Sequence, residues 1–246
     1  MGFVKWESFL EKHIEGFFNK KFSSELEPAE IEKAIGHELE RRRKKSRHGS
    51  QVPNAYEVCM GEEDYQRLSS RRLLDELYLF IEKNLILTNT FMDGKLHLTF
   101  REEASLSLGI CTVNSCYEDA VPEGEDMEEP HTLVLNRSSF TLPLNLPTEY
   151  KTVSLTAVEG PDMDSYLEFG EKKIYIGRRD KNDFILTDTN ASRLHAYIAF
   201  ERHRHVLYDA KSLNGTFVND KPITSACLLA GDKIRVGNTV LLYEVI

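Results

Sequence analysis

The sequence contains few cysteines and no long apolar run. Its 246 residues include four cysteines, and none of them forms the CxxC pairs from which zinc sites are commonly built. We therefore expect reduced thiols at Cys59, Cys111, Cys116 and Cys227. No stretch approaches the roughly 20 apolar residues of a membrane-spanning helix, and the first residues show no signal-peptide pattern. These absences argue against a disulfide-rich secreted protein or a helical membrane protein and predict a cytoplasmic one.

Patterns of catalytic and metal-binding residues are also missing. We find no general base, nucleophile or group of metal ligands at the spacing that such chemistry needs. His203 and His205 flank Arg204 and could form a metal pair on one side of a strand, but exposed hairpin residues are the simpler interpretation. The sequence therefore predicts a protein without enzymatic activity, metal or cofactor.

Positive charge is in deficit. Asp and Glu outnumber Lys and Arg by 40 to 31, and the formal net charge is −9, which argues against duplex nucleic acid as the main partner. The charge is uneven, however, with a basic run at Arg41–Arg47 and an acidic run at Glu118–Glu129. At the end of a helix the basic run would complement the helix macrodipole. The alternative is a surface for RNA or anionic lipid headgroups.

Residues 1–116 mix helical and strand patterns. Apolar residues recur at helical spacing up to about Lys20, and Pro28 suits the first turn of a second helix. A helical region is predicted from Glu62 through Ile81, where Glu62, Glu63 and Asp64 would complement the helix dipole. Strands are predicted at 52–60, 95–100 and 105–113. This order predicts a small α+β domain.

Residues 117–150 have the composition of a linker. The acidic, proline-containing run that begins at Glu118 repels itself and cannot bury a core. Residues 131–150 hold short apolar pieces between polar residues, and we expect an extended, partly docked segment there. From residue 151 to residue 246, short alternating runs are separated by Asn, Asp and Gly turns. That pattern predicts an all-β sandwich.

Three polar clusters interrupt the alternating runs of residues 151–246. They are Ile176-Gly177-Arg178, Ser192-Arg193-Leu194-His195 and Ser212-Leu213-Asn214-Gly215-Thr216. They supply a guanidinium whose planar fork matches phosphate oxygens, short hydroxyl donors, and an amide that can bond to a peptide backbone. These groups suit an anion attached to a peptide, which predicts a reader of phosphorylated peptides.

In their order and separation, these clusters make residues from about 152 to 246 resemble a forkhead-associated (FHA) domain. The resemblance implies an eleven-stranded β-sandwich that binds phosphothreonine peptides through loops at one end. Arg178 would grip phosphate oxygens, Ser192 would donate a hydroxyl to them, and Asn214 would clamp the peptide backbone. Arg193 would line the phosphate side or pair with the peptide.

The resemblance also implies roles for the neighbouring residues. Ser212 and Gly215 would belong to the phosphopeptide-binding set, whereas Gly177, His195 and Thr216 would be structural in the binding loops. Family members often have a hydroxyl residue just before the binding asparagine, where this chain has Leu213. One possible phosphate contact is thereby absent.

The N-terminal third resembles the N-terminal domain of FhaA-type bacterial signalling proteins, which carry an FHA domain at their C-terminus. The resemblance rests on three segments: residues 22–31 (FSSELEPAEI), 52–56 (VPNAY) and 63–68 (EDYQRL). It covers roughly residues 1–115. No motif in this region indicates a biochemical role.

Together these features predict a non-catalytic adaptor in bacterial Ser/Thr protein kinase signalling that binds phosphothreonine on a partner protein. The alternative is a protein whose N-terminal domain binds RNA or an anionic membrane surface, with the FHA domain as an accessory. Thr132 follows acidic residues and precedes aliphatic ones, so it is a possible phosphorylation site. Its phosphate could then dock intramolecularly near Arg178.

Overall fold

The computed structural model of the protein describes residues 25–118 and 150–246. The predicted helix up to Lys20, most of the predicted linker and Thr132 lie outside these residues. Among the helices described, none has both the length and the apolar character needed to cross a bilayer. All four cysteines are free, as the sequence predicts.

Helix α1 spans Pro28–Arg42, with Pro28 in its first turn as predicted. Proline suits this position because the first helical N–H has no partner within the helix. The Glu30 side chain also accepts a hydrogen bond from the backbone N–H of Glu27 at 3.0 Å. Ile31, Ile35 and Leu39 recur four residues apart and are buried, so one stripe of the helix faces the core.

The basic run only partly belongs to helix α1. Arg41 and Arg42 lie in its last turn, where cations complement the macrodipole. The chain then forms a hairpin of β1 (Lys44–Ser46) and β2 (Gly49–Gln51), on which Lys45 and Arg47 are exposed. The helix-end interpretation is therefore wrong for this second half of the run, because the helix stops before it.

The remaining elements of the first described range form two small sheets and two helices. They are β3 (Ala55–Met60), α2 (Glu62–Leu68), α3 (Arg71–Thr88), β4 (Thr90–Phe91), β5 (His97–Glu102) and β6 (Cys111–Cys116). Strand β3 is central, parallel to β5 and antiparallel to β6, and β2 pairs with β4. Helices α1 and α3 contribute to the core beside this sheet, which confirms the α+β prediction.

The strand predicted at 105–113 forms further along the chain, at β6. The preceding loop is held by Asp64, whose carboxylate accepts hydrogen bonds from the backbone N–H of Gly109 at 2.7 Å and of Leu26 at 3.0 Å. Asp64 is completely buried. Although burial alone would raise its pKa, these hydrogen bonds and Arg67 lower it. Asp64 therefore fastens two loops, in addition to lying in the first turn of α2.

Residues 150–246 form a sandwich of eleven strands. They are β7 (Val153–Glu159), β8 (Tyr166–Phe169), β9 (Ile174–Gly177), β10 (Phe184–Ile185), β11 (Ala196–Glu201), β12 (Arg204–Asp209), β13 (Thr216–Val218), β14 (Lys221–Ile223), β15 (Ser225–Cys227), β16 (Lys233–Val236) and β17 (Thr239–Val245). One sheet has the order β10-β9-β11-β12-β15 and the other β14-β13-β16-β17-β7-β8. The prediction of an all-β sandwich with eleven strands is confirmed.

Alternation along the strands builds the core between the two sheets. Val153, Leu155 and Ala157 of β7 are buried at every second position, and so are Leu241 and Tyr243 of β17. Side chains of a strand point alternately to opposite faces, so these residues line the inner face of their sheet.

The two described ranges touch through α3, β4 and the turn between β11 and β12. His203 in that turn lies 2.5 Å from the carboxylate of Glu82 and 2.9 Å from the carbonyl of Gly94. His203 and His205 are both buried, so the prediction of exposed hairpin residues is wrong. The N-terminal domain covers His203, whereas His205 is buried within the sandwich, where its Nδ1 lies 2.8 Å from the Tyr243 hydroxyl and its Nε2 2.8 Å from the Gly170 carbonyl. The sequence pattern indicated a hairpin but neither of these contacts.

Candidate functional site

The three polar clusters lie in loops at one end of the sandwich. Loop A (178–183) follows β9, loop B (186–195) precedes β11, and loop C (210–215) follows β12. Strand β11 runs from loop B to the turn that contacts α3. The loops and the domain junction therefore lie at opposite ends of this sheet.

Backbone hydrogen bonds join loop A to loop B. The N–H of Arg178 donates to the carbonyl of Ser192, and the N–H of Arg179 donates to the carbonyl of Arg193, both at 3.0 Å. Gly177 makes this close approach possible. It has φ +153°, and a Cβ atom there would lie 2.8–2.9 Å from backbone atoms of Ser192, Arg193 and His195. Only glycine fits such backbone contact comfortably.

An open cavity of about 710 Å³ lies between the loops. Its lining residues are Arg178, Arg179, Thr189, Asn190, Ala191, Ser192, Arg193, Leu194, Leu213 and Asn214. Three of them are arginines and none is acidic, so the cavity is suited to an anion. Of the predicted binding residues, the cavity brings together Arg178, Ser192, Arg193 and Asn214.

Ser192 and His195 form a small network inside loop B. The Ser192 backbone N–H donates to Nδ1 of His195 at 3.0 Å, and Nε2 of His195 lies 3.1 Å from the carbonyl of Gly215. Nδ1 therefore accepts and Nε2 carries the proton of a neutral ring. His195 is fully buried, and burial lowers its pKa, which favours that neutral form. The ring joins loop B to loop C.

The Ser192 hydroxyl retains its donor capacity. Its Oγ accepts a hydrogen bond from the backbone N–H of Leu213 at 3.1 Å, which leaves the hydroxyl proton available for a ligand. Asn214 keeps part of its hydrogen-bonding capacity as well: its Nδ2 donates to the carbonyl of Asn190 at 2.8 Å, and its Oδ1 remains an acceptor for a ligand. These contacts fix both side chains at the cavity before any ligand binds.

Ser212 does not line the cavity. Its hydroxyl donates to Asp209 at 2.5 Å and its backbone N–H to the same carboxylate at 3.1 Å. Thr216 donates to Asp209 as well, at 2.7 Å. Burial would raise the pKa of Asp209, but these hydrogen bonds lower it. Ser212 and Thr216 thus brace loop C around the half-buried carboxylate of Asp209, and Gly215 supports loop C through its carbonyl.

Two further carboxylates, those of Asp162 and Asp188, anchor loop B by hydrogen bonds. Asp162 accepts hydrogen bonds from the N–H and hydroxyl of Thr187 at 2.6 and 2.7 Å and from Thr239 at 3.0 Å. Asp188 accepts from the N–H groups of Asn190 and Asn238 at 2.9 and 2.5 Å. Both aspartates are buried. These hydrogen bonds therefore fix the conformation of loop B.

Sequence reasoning missed several of these residues. Arg179 and Asn190 line the cavity, and their proximity to Arg178 and Ser192 in the chain was an available signal. Asp162 and Asp188 carried no signal in the sequence, because Asp162 reaches Thr239 across 77 positions of the chain. Only the fold brings such partners together.

Comparisons with known proteins agree with this architecture. Residues 3–114 match the family described as FhaA, N-terminal domain, and residues 174–237 match the FHA domain family. The chain is 34% identical over 89 residues to the glycogen accumulation regulator GarA of Mycobacterium tuberculosis, an alignment that covers 36% of this chain and 55% of that protein. It therefore spans about half the length of that relative.

A second relative is the oxoglutarate dehydrogenase inhibitor of Corynebacterium efficiens. It is 31% identical over 99 residues, which cover 40% of this chain and 68% of the inhibitor. Among solved structures, one from an analysis of phosphothreonine-dependent FHA domain interactions is 31% identical. It covers 38% of this chain and 95% of its own, with a TM-score of 0.35.

Proposed function

Because the chain belongs to the FHA-domain proteins, with an FhaA N-terminal domain ahead of the FHA domain, we propose that it binds phosphothreonine peptides of a partner protein. In this proposal it is a non-catalytic adaptor in bacterial Ser/Thr protein kinase signalling, and its action is reversible binding. The observation that carries the proposal is the convergence of Arg178, Ser192 and Asn214, from three loops, on one basic cavity.

The phosphate would lie between Arg178 and Ser192. A phosphate group carries up to two negative charges and three strong acceptor oxygens at neutral pH. Arg178 offers a planar pair of donors, and Ser192 offers its hydroxyl proton, since its Oγ acts as acceptor for the Leu213 N–H. Arg179 and Arg193 line the same cavity and add positive charge. Each charge-assisted hydrogen bond contributes roughly 1.5–3 kcal/mol, enough to separate a phosphorylated from a plain peptide.

The peptide backbone would be held by Asn214. Its Nδ2 is tied to Asn190, so its Oδ1 is oriented and can accept a backbone N–H of the ligand. Binding needs little rearrangement, because the hydrogen bonds of Asp162, Asp188 and Asp209 already order loops B and C. Such preorganisation lowers the entropic cost of binding.

The test is the affinity of the full chain for phosphothreonine peptides after replacement of Arg178. Arg178→Ala should weaken binding by about 2–5 kcal/mol because a charged anchor is lost. Arg178→Lys keeps the charge but not the planar fork, so it should bind at an intermediate level. Asn214→Ala should weaken binding of the peptide through the backbone contact.

Arg72→Ala is the matched control. Arg72 is an exposed arginine of α3, and its side chain is 88% accessible, so the same change of net charge is made far from the cavity. Isothermal titration calorimetry with phosphorylated and unphosphorylated forms of one peptide gives the comparison. Near-normal affinity of Arg178→Ala would refute the assignment.

The N-terminal domain docks at the opposite end of the sandwich from the cavity. In this proposal it contributes a second interaction while the cavity stays open to a partner. Binding of RNA or anionic lipid by Arg41–Arg47 stays the alternative. Its hairpin half is exposed and is not part of the junction contacts of His203.

A further inference from the structure

Two leucines at the cavity differ from the rest of its lining. Leu213 is 89% exposed, the most exposed of the large apolar side chains in the described part of the chain, and Leu194 is 38% exposed. Both line the cavity, whose other members are mainly arginines and polar residues. A single exposed leucine is ordinary on a protein surface. Two exposed leucines at the rim of one binding cavity form an apolar surface that a bound ligand can cover.

The backbone of Leu213 is held at a defined position. Its N–H donates to the Ser192 hydroxyl oxygen at 3.1 Å, and the next residue, Asn214, is tied to Asn190 at 2.8 Å. Leu213 therefore lies between the group proposed to bind phosphate and the group proposed to hold the peptide backbone. A peptide that engages both groups must pass beside this side chain.

We propose that Leu213, with Leu194, selects phosphothreonine peptides that carry an aliphatic side chain next to the phosphothreonine. This inference rests on the proposed function and adds the chemical class of its ligand. Contact between an aliphatic side chain and these leucines removes apolar surface of both partners from water. A charged or amide side chain at the same place would lose water without gaining a hydrogen bond from leucine.

Arginine chemistry alone does not supply this selection. Arg178, Arg179 and Arg193 attract any phosphorylated peptide and favour acidic neighbours without discriminating by shape. The leucines add a short-range preference for apolar shape. We expect a leucine at the favoured flanking position to bind about tenfold tighter than an aspartate there, which corresponds to about 1.4 kcal/mol.

The experiment uses the full chain and a series of phosphothreonine peptides in an alanine background. Each peptide carries one leucine or one aspartate at a single flanking position, and each is also made with phosphoserine in place of phosphothreonine and without phosphate. Fluorescence anisotropy gives the affinities for the wild type, Leu213→Ser, Leu194→Ser and Leu213→Met. Leu229→Ser is the matched control, because Leu229 is as exposed as Leu194 but follows β15 at the other end of the sheet.

The wild type and Leu229→Ser should prefer leucine at one position by about tenfold. Leu213→Ser should lose most of that preference yet still require phosphate, Leu194→Ser should lose part of it, and Leu213→Met should keep it. Circular dichroism should show all variants folded, since Leu213 is 89% exposed and Leu194 and Leu229 are both 38% exposed.

Three results would overturn the inference. One is equal affinity for leucine and aspartate peptides at every position, and another is an unchanged preference in Leu213→Ser. The third is a Leu213→Ser variant that instead loses discrimination between phosphothreonine and phosphoserine, which would assign Leu213 to the threonine methyl group. Binding that is absent, or independent of phosphate, would refute the proposed function itself and the inference with it.

Discussion

Replacement of Gly177 by alanine tests whether the contact between loops A and B sets both stability and binding. Gly177 has φ +153°, a conformation that only glycine adopts readily. A Cβ atom there would lie 2.8 Å from the Ser192 carbonyl oxygen, 2.9 Å from the Arg193 carbonyl oxygen and 2.9 Å from the His195 nitrogen. All three are backbone atoms, so no side chain can rotate away to relieve the clash.

The expected loss of unfolding free energy in Gly177→Ala has two parts. The strained backbone contributes about 1–3 kcal/mol, and overpacking against fixed atoms contributes about 1–3 kcal/mol more. Relief of the clash would move the carbonyls of Ser192 and Arg193, which accept the 3.0 Å hydrogen bonds from Arg178 and Arg179. The phosphate-binding geometry would change with them, and we expect affinity for phosphothreonine peptides to fall about tenfold or more, at least about 1.4 kcal/mol.

Gly231→Ala is the control for strain without a clash. Gly231 has φ +88°, and an added Cβ atom would meet nothing within 4 Å. The Gly231→Ala variant should therefore lose only the backbone-strain contribution to the free energy of unfolding, about 1–3 kcal/mol, and its peptide affinity should be unchanged. Urea unfolding of both variants and the wild type, followed by calorimetric titration with peptide, makes the comparison. If Gly177→Ala matches Gly231→Ala in both stability and affinity, the clash has no consequence and the reasoning is wrong.

Two further predictions concern buried charges. Asp162→Asn should lower the free energy of unfolding by roughly 1.5–3 kcal/mol, because the carboxylate accepts several hydrogen bonds and an amide group would oppose one donor. Urea denaturation measures this loss, and the control Asp180→Asn, at an exposed residue, should have little effect. If Asp162→Asn were as stable as the wild type, the role given to Asp162 would be contradicted. Burial lowers the pKa of His203, but the neighbouring Glu82 carboxylate outweighs burial, so the pKa of His203 is raised. This histidine therefore stabilises the fold fully below its unfolded pKa of about 6.5, and the stabilisation is lost as the pH rises through the pKa of the folded state. The stability difference between the wild type and His203→Gln should therefore shrink from about pH 6 towards alkaline pH, and a difference that is constant with pH would count against the Glu82–His203 pair.

The sequence alone indicated much of the fold. Alternation in β7 and β17 and frequent turn residues predicted the sandwich, because strand patterning is local and has a period of two residues. The start of α1 was also local, since Pro28 suits a first turn wherever the helix packs. The three polar clusters could be recognised because they lie between apolar strands, and the resemblance to FHA domains singled out Arg178, Ser192 and Asn214 within them.

Contacts between distant parts of the chain required the tertiary structure. Asp64 binds the backbone of Leu26 and Gly109, and Asp162 binds Thr239; no local pattern marks such partners. The burial of His203 depends on a second domain that covers its turn through Glu82. Ser212 was assigned to the ligand by its position in a motif, but its hydroxyl faces Asp209 in the fold.

Local periodicity and turn chemistry thus determine which elements form and which loops carry polar groups. The orientation of each polar side chain depends on which buried donor or acceptor lies within about 3 Å of it, and that is decided by packing between elements far apart in the chain. For this reason the type of the C-terminal domain and its candidate binding residues could be read from the sequence. The cavity, the carboxylates that support it and the junction between the domains could not.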